Sequence, residues 1–557
     1  MRKTKKQTGI TLIALAITII ILLILAGISI GVLTGENGLI KQSQSAKTQT
    51  EIAEEKEILD TATVKAMAKD RYGNLSQENL QESLDKIIGK GKTEVADAGE
   101  NLEVCFWESK RYYEVDQDGN VGNYQEIIED KSPGDITKDK EGNKLAGTQE
   151  NPYEIWCVED LVTFSAMVNG GYSDTNITIS SYQFANNTVA LMRDLNFKSK
   201  FSYADSTTTM YNGYLEIEDT TIPLIIGLTD TTKYKGFIPI GKQYVSGSSV
   251  YNFFGNFDGR GHTIKNLNEN TTTWAGLFGE IRGDGKIYNL NVTGKIQTTS
   301  LAGGIVAVNR TGKIIINCKN FAEVISSSTA AGGIAGVNSG KIDKCYNYGN
   351  INGKGGTGGI AGQQYGGDSM EMTISNCINF GNIKNSTSYG AGGIVGFGYG
   401  NVINCYNAPN SQIEGINSSA GGIVGYTGKS NIYNCYNLGR IRSDYSLGGI
   451  NGYTWTSAKI NNCYSGNEII GDKAGGIHGI VYIGGGTTIK NSFFLKSDYV
   501  TSGIANSSSD SIIGLTTLTQ EIIDKLNTYI DTDPDAIGTT EWSKWKIDTE
   551  GNPEFVK

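Results

Sequence analysis

Ala391-Gly392-Gly393-Ile394-Val395-Gly396 is followed by Ile403-Asn404-Cys405-Tyr406-Asn407, and both phrases return. The first recurs 29 residues on as Ala420-Gly421-Gly422-Ile423-Val424-Gly425, and the second as Tyr433-Asn434-Cys435-Tyr436-Asn437. Working outward, Gly-Gly-Ile starts at Gly303, Gly332, Gly358, Gly392, Gly421, Gly448 and Gly475, in steps of 29, 26, 34, 29, 27 and 27 residues. Gly276-Leu277-Phe278-Gly279 begins an earlier copy. Each unit holds about three short apolar strands between Gly, Asn and Ser, with no helical period long enough for a crossover helix. Such a unit cannot bury its own apolar face. Stacked, each strand pairs with its equivalent in the next coil at ~4.8 Å. The fold class expected is therefore mainly β: a right-handed parallel β-helix of about eight coils. The long step of 34 holds an insertion around Gln363 to Met372, expected to bulge from one corner.

Six of the eight cysteines (Cys318, Cys345, Cys377, Cys405, Cys435, Cys463) hold one place in successive units. A disulfide framework and a metal site are the alternatives to buried thiols. The metal reading fails because spacings near 28 residues are not a C-x-x-C pattern and no His accompanies them. Leu290 and Ser492 fill the same place in the end units, so the position tolerates residues without redox or ligand chemistry. Stacked equivalent side chains also lie parallel, a poor geometry for a bridge. Reduced, buried thiols are expected. Asn320, Asn347, Asn379, Asn407 and Asn437, two places on, are placed to form a stacked amide ladder.

The units resemble the GLUG motif of bacterial surface proteins and some secreted proteases, on Ala-Gly-Leu-Phe-Gly at 275–279 and Ala-Gly-Gly-Ile-Val-Gly at 391–396 and 420–425. The upstream flank fits the same resemblance: Asn151 to Ile155, Leu191 to Leu195, and Gly255 to Ile264 with its Asp258-Gly259-Arg260-Gly261-His262 turn. Trp542 to Phe555 resembles its closing segment. The protease use of the motif does not transfer, because no His-Glu-x-x-His occurs.

The N-terminus reads differently. Arg2, Lys3, Lys5 and Lys6 precede an apolar run from Ile10 to Leu33, and no charge falls between Lys6 and Glu36. As a helix this run crosses a ~30 Å hydrocarbon core, with the basic end in the cytoplasm. Lys5-Lys6-Gln7-Thr8-Gly9-Ile10-Thr11-Leu12 resembles the leader of type IV prepilins. That resemblance implies prepilin-peptidase processing at Gly9 and Ile10, N-methylation, and a pilin-type assembly machinery as partner. Ala14 stands where the family has Glu, which sets the chain apart from major filament subunits. Leu59, Ala62 and Ala66 continue a helical stripe, and 102–121 alternates as strands with turns at Ser109-Lys110 and Asp118-Gly119.

The expected organisation is a leader at 1–9, a transmembrane and amphipathic helix with a small α+β pilin-like region at 10–122, and a linker at 123–150. A β-rich lead-in at 151–270, solenoid repeats at 271–495 and a closing segment at 496–557 follow. Composition narrows the function. Gly makes up 73 of 557 residues, Pro only 7, and the net charge of −10 with 2 His disfavours nucleic-acid binding and His-rich metal sites. A β-helix enzyme needs carboxylates clustered on one face. Here Glu323, Asp343, Asp368, Glu371, Glu414 and Asp444 are scattered, and His262 and His478 read as structural. No catalytic residue, metal or cofactor is expected. The function expected is a non-catalytic surface or pilus-associated protein, inserted in the bacterial cytoplasmic membrane through residues 10–33. Its exported body would display an adhesive solenoid, with tyrosines such as Tyr346, Tyr406 and Tyr436, to a host or glycan surface. A carbohydrate-active lyase or hydrolase and a structural surface-layer component are the alternatives.

Overall fold

The computed structural model describes residues 39–127, 135–169, 184–199, 237–241, 252–365, 372–387, 389–466, 468–471, 473–481, 486–497, 500–505, 512–532 and 540–556, with short strands between 172 and 236. Gly9, Ile10 and the apolar run to Leu33 lie outside the described residues. Among those described, no helix is long and apolar enough to cross a membrane. The chain divides into two compact units, Met1–Ile127 and Ile128–Lys557.

In the first unit, helices Leu39–Met67 and Gln77–Ile88 pack on a four-stranded antiparallel sheet of Thr93–Asp97, Leu102–Phe106, Arg111–Val115 and Val121–Glu126. The stripe Leu59, Ala62 and Ala66 is fully buried against Leu80, Leu84, Val104 and Tyr113. Ser76 caps the second helix by accepting from the Asn79 N–H at 3.2 Å. A buried polar knot ties helix to sheet: Arg111 donates to Glu55 at 2.9 Å, and the Tyr113 hydroxyl donates to the same carboxylate at 2.6 Å. The strand Thr93–Asp97 was not among those read from sequence, because Glu94 and Asp97 interrupt its apolar alternation.

The second unit is the parallel β-solenoid, of about eight turns, built from three ladders of strands. The Gly-Gly phrase forms one ladder, running from Ala302–Gly303 through Ala331–Gly332 and Ala391–Gly392 to Ala474–Gly475. Its core consists of columns, one residue per coil. Ile287, Ile315, Ile342, Ile374, Val402, Ile432 and Ile460 are paired neighbours in consecutive coils. Ile296, Val324, Ile351, Ile383, Ile413, Ile441 and Ile469 form a second column. All are buried, and β-branched side chains stack well on such a surface.

The cysteines form a third inward column with Leu290 at one end and Ser492 at the other, and all eight cysteines are free and buried. Each ladder thiol donates to the carbonyl two residues before it, as Cys377 does to Ser375 at 3.0 Å. Burial pushes the Cys463 thiol up to about 12.

The amide ladder is also present. Nδ2 of Asn320, Asn347, Asn379 and Asn407 each donates to Oδ1 of the next member at 2.8 Å, ending at Asn437. The second Gly of five pairs, Gly304, Gly333, Gly359, Gly393 and Gly422, makes room for it: a Cβ on Gly422 would fall 2.4 Å from the Asn437 side chain and 2.1 Å from the Gly449 carbonyl. A second amide ladder runs on the other side of the cysteines. Asn376, Asn404, Asn434 and Asn462 turn the corner at φ between 52° and 59°, a left-handed conformation that Asn tolerates. Their amides link coil to coil at 2.8–3.0 Å.

The first coil and one side face are covered. At the start, the helix Val158–Asn169 follows the edge strand Tyr153–Ile155 and packs Phe164 among Phe184, Phe253 and Phe257, protecting a core that would otherwise be open. The region read as linker supplies Ile136 to this core, and its residues 123–126 belong to the strand Val121–Glu126. Near the end, the helix Gln520–Thr532 and the hairpin Trp545–Ile547 with Pro553–Phe555 lie across the solenoid face.

Replacing Asn379 by Ala removes one rung and leaves a buried acceptor on Asn407 and a ladder bond of Asn347 unmade, a loss of about 2–4 kcal/mol of unfolding free energy. Lys354→Ala, an exposed change, shifts it by less than about 0.5 kcal/mol; urea unfolding of both variants measures the difference. His478 gives a pH signature. It is fully buried, with Asn451 and Thr454 on Nε2 at 3.0 and 2.7 Å, and burial pulls it from 6.5 down to about 4. Below pH 6.5 the unfolded chain takes up a proton that the fold resists, so stability falls as pH drops toward 4, by about 1.4 kcal/mol per unit. Thermal unfolding of His478→Gln across this range loses that part of the slope.

Candidate functional site

Three long strands of the solenoid, Val395–Ile403, Val424–Tyr433 and Asn451–Asn461, lie side by side. Their outward residues carry an aromatic column. Phe397 pairs with Tyr426, which pairs with Tyr453, and their ring centroids are 5.3 and 4.9 Å apart. This column is the floor of a trough of about 590 Å³ that crosses the strands and follows the solenoid axis.

The walls come from two local irregularities. Tyr389 and Tyr445 stand on the turns that precede the Gly-Gly phrase, with rings 5.8 Å from Phe397 and 6.2 Å from Tyr453. Tyr399 and Trp455 stand on the opposite side, where the strands bulge. Gly398 and Tyr399 are consecutive, but their partners Thr427 and Lys429 are separated by Gly428, and the next partners Thr454 and Ser457 by Trp455 and Thr456. The edge thus widens by one residue per coil. Bulges of this kind re-aim side chains. Gly428 is needed there, since a Cβ would fall 2.4 Å from the Tyr399 ring. The flanks of the 34-residue step arrive at the same edge: Gln364 and Thr373 keep register with Gly398 and Asn401, and Tyr365 packs on Tyr399 at 5.7 Å. Residues 366–371 of the insertion lie outside the described residues.

Among the described residues, the lining of the trough is aromatic apart from Gly428 and the Asn417 amide, with no charged side chain. Burial, with neighbouring tyrosines, pushes Tyr426 up to about 12, so its hydroxyl remains protonated. Lys473 stands at one side, 5.6 Å from the Tyr445 ring centroid. Tyr389, Tyr445 and Trp455 are about half exposed, at 49, 47 and 48 %. An aromatic, uncharged, water-accessible groove binds by stacking and by hydrogen bonds from hydroxyl, indole and amide groups.

The tyrosines singled out from sequence have another role. Tyr406 and Tyr436 stack at 4.5 Å and lie under the C-terminal hairpin, with Phe555 4.9 Å from Tyr436 and Trp545 5.5 Å away. They are packing residues, not display residues. The closing segment also clamps the outer Asn ladder, where Asn404 donates to the Glu541 carbonyl and Trp545 donates to Asn434. Tyr346 is half-buried in the same column.

The polar candidates are structural. Asp258 accepts from the Arg260 N–H at 2.9 Å and closes a turn with Arg260 at φ 50°. His262 contacts Asp194 at 3.3 Å. Burial opposes the Asp194 charge, yet hydrogen bonds from His262 and the Thr263 N–H, with Lys265 nearby, hold it below the ordinary carboxylate range. Glu323 pairs with Lys295 and Glu414 with Lys384, both at 2.9 Å across adjacent coils. Asp343 accepts from Ser375 and Asn376, and Asp444 from the Asn417 N–H. Asp368 and Glu371 lie outside the described residues. Among the described residues, no three His, Cys, Asp or Glu side chains are grouped to hold a metal ion.

The trough was missed in the sequence, although a signal was there. An aromatic residue follows each of three Gly-Gly-Ile phrases at one position, in Ile394-Val395-Gly396-Phe397, Ile423-Val424-Gly425-Tyr426 and Ile450-Asn451-Gly452-Tyr453.

The GLUG motif matches residues 416–442, a stretch that includes Asn417, Tyr426 and Gly428 of the trough. No curated protein matches the chain in sequence. A crystal structure of a candidate immunoglobulin A1 protease from Bacteroides ovatus is 18 % identical, over 74 % of this chain and 94 % of that one, with a TM-score of 0.35. At that likeness nothing of its activity carries over. The chain is a mainly β protein whose parallel β-solenoid contains a GLUG motif.

Proposed function

We propose that this chain is a non-catalytic bacterial surface protein whose right-handed solenoid displays the aromatic trough to a host or glycan surface. One observation carries the reading: an uncharged aromatic groove stands open to water on a stack of hydrogen-bonded coils. Exposed aromatic patches on a rigid scaffold are characteristic of interaction sites. Glu323, Asp343, Glu414 and Asp444 support it, because each is held in a contact between coils rather than facing a second carboxylate across a cleft.

The membrane side of the proposal rests on the sequence. Residues 10–33 insert in the cytoplasmic membrane with the basic end inside, and the body is exported. A prepilin peptidase acts between Gly9 and Ile10, and the pilin-type assembly machinery receives the product. Ala14 makes it an accessory rather than a major subunit.

The full chain in detergent micelles, applied to epithelial cells and to mucin-coated surfaces, is expected to adhere and to release no reducing ends from polysaccharide. Tyr426→Ala/Trp455→Ala is expected to lose most of the adhesion while keeping the melting temperature within a few degrees. Release of reducing ends, or adhesion indifferent to the double variant, contradicts the proposal.

A further inference from the structure

The display reading leaves the ligand open; the inference below rests on that reading and names the ligand class. Three features of the trough constrain what fits it. The first is charge. Among the described residues, floor and walls contribute no charged group, the hydroxyl of Tyr426 stays protonated, and Lys473 lies against Tyr445 from outside the lining. An ion buried on the rings would forfeit its hydration without a counter-charge in the lining itself, so an anionic glycan or a nucleic acid is a poor occupant.

The second is chemistry. The rings offer apolar faces with a negative quadrupole, and phenol, indole and amide groups sit beside them. A pyranose has the complementary pattern: polarised C–H groups on its faces and hydroxyls around its rim.

The third is the repeat. The floor rings step along the solenoid axis by 5.3 and 4.9 Å, because each comes from one coil. A sugar unit in an extended oligosaccharide advances by a comparable length, so successive units meet successive rings. The competing occupant of an aromatic groove is a proline-rich peptide. It rises ~3.1 Å per residue with three residues per turn, which repeats every ~9 Å and does not match one ring per coil. The trough volume of about 590 Å³ lies within the range of small-ligand clefts and accommodates a short segment of such a chain.

From these features we infer that the Phe397–Tyr426–Tyr453 trough binds a neutral oligosaccharide laid parallel to the solenoid axis, with Tyr389 and Tyr445 on one side and Tyr399 and Trp455 on the other. Phe397 and Tyr426, both half-buried, hold consecutive sugar units, and the largely buried Tyr453 backs the end of the floor. Trp455, on the widest bulge, contributes the largest single ring surface.

Calorimetric titration of the full chain in micelles tests this with cellotetraose, maltotetraose, mannotetraose and N-acetylchitotetraose as probes. Tetragalacturonate and a proline-rich decapeptide serve as the charged and peptide comparisons. At least one neutral tetrasaccharide is expected to bind saturably at a Kd of about 1 mM or tighter. Trp455→Ala and Tyr426→Ala are each expected to weaken it tenfold or more, and Tyr426→Phe far less. Trp455 is half exposed, so its removal leaves the fold intact, and the melting temperature checks this. No binding by any of the neutral probes, binding unaffected by Trp455→Ala, or preferential binding of tetragalacturonate or the peptide overturns the inference. If the double variant abolishes adhesion to cells while all four neutral probes fail to bind, the display reading stands and the ligand class is wrong. If adhesion itself is indifferent to the trough, the display reading falls.

Discussion

The amide of one buried Asn per coil bonds to the amide of the next, from Asn320 to Asn437, and most of the solenoid is arranged around that contact. A carboxamide carries both a donor and an acceptor, so a stack of them satisfies itself without water. Asn320, Asn347, Asn379 and Asn437 also close their own turns by donating to the carbonyl two residues on, as Asn379 does to Gly381 at 2.8 Å. A slip of one residue would turn every inward side chain to the other face and leave each buried amide unpaired. The ladder therefore specifies register as well as adding stability. It also explains the Gly-Gly phrase, since the second Gly is where the next chain segment and the Asn side chain come closest.

With register set inside, the outside is free to vary. Two regions use that freedom in opposite ways. On one face the column Tyr406, Tyr436 and Tyr464 is sealed by the chain's own C-terminal helix and hairpin. On another, a bulge growing coil by coil opens the trough and leaves Tyr389, Tyr445 and Trp455 about half exposed to water. The same residue type, tyrosine, is packing material in the first and binding surface in the second. What separates them is whether another part of the chain lies across the column.

That contrast marks how far the sequence could be read. The unit length, the parallel stacking, the thiol column and the inner amide ladder were legible because each is a local pattern repeated at constant spacing. The left-handed residue before each ladder Cys, Lys344 before Cys345 and Asn before the others, was visible as part of the motif, but its corner role depends on a backbone angle that spacing does not reveal. Tyr406 and Tyr436 were misjudged because the segment covering them lies more than 100 residues further along the chain. The trough was hidden for the opposite reason: its walls come from bulges and turns that break the repeat, and a search for regularity passes over them. The acids near Asp343 and Glu414 were read as scattered, and their partners in adjacent coils give that scatter a structural cause.

The account depends on the cysteine column being a packing element inside an intact stack of coils. Native thiol titration with a small reagent, followed by titration in denaturant, tests it most directly. All eight thiols are buried and free in the structure. The account predicts no reactive thiol in the native protein and eight after unfolding. Six or fewer after unfolding would reveal a disulfide, and prompt reaction of a ladder thiol (Cys318 to Cys463) in the native protein would show the coils open; either result contradicts the stacked core from which the register, the trough and the proposed binding all follow.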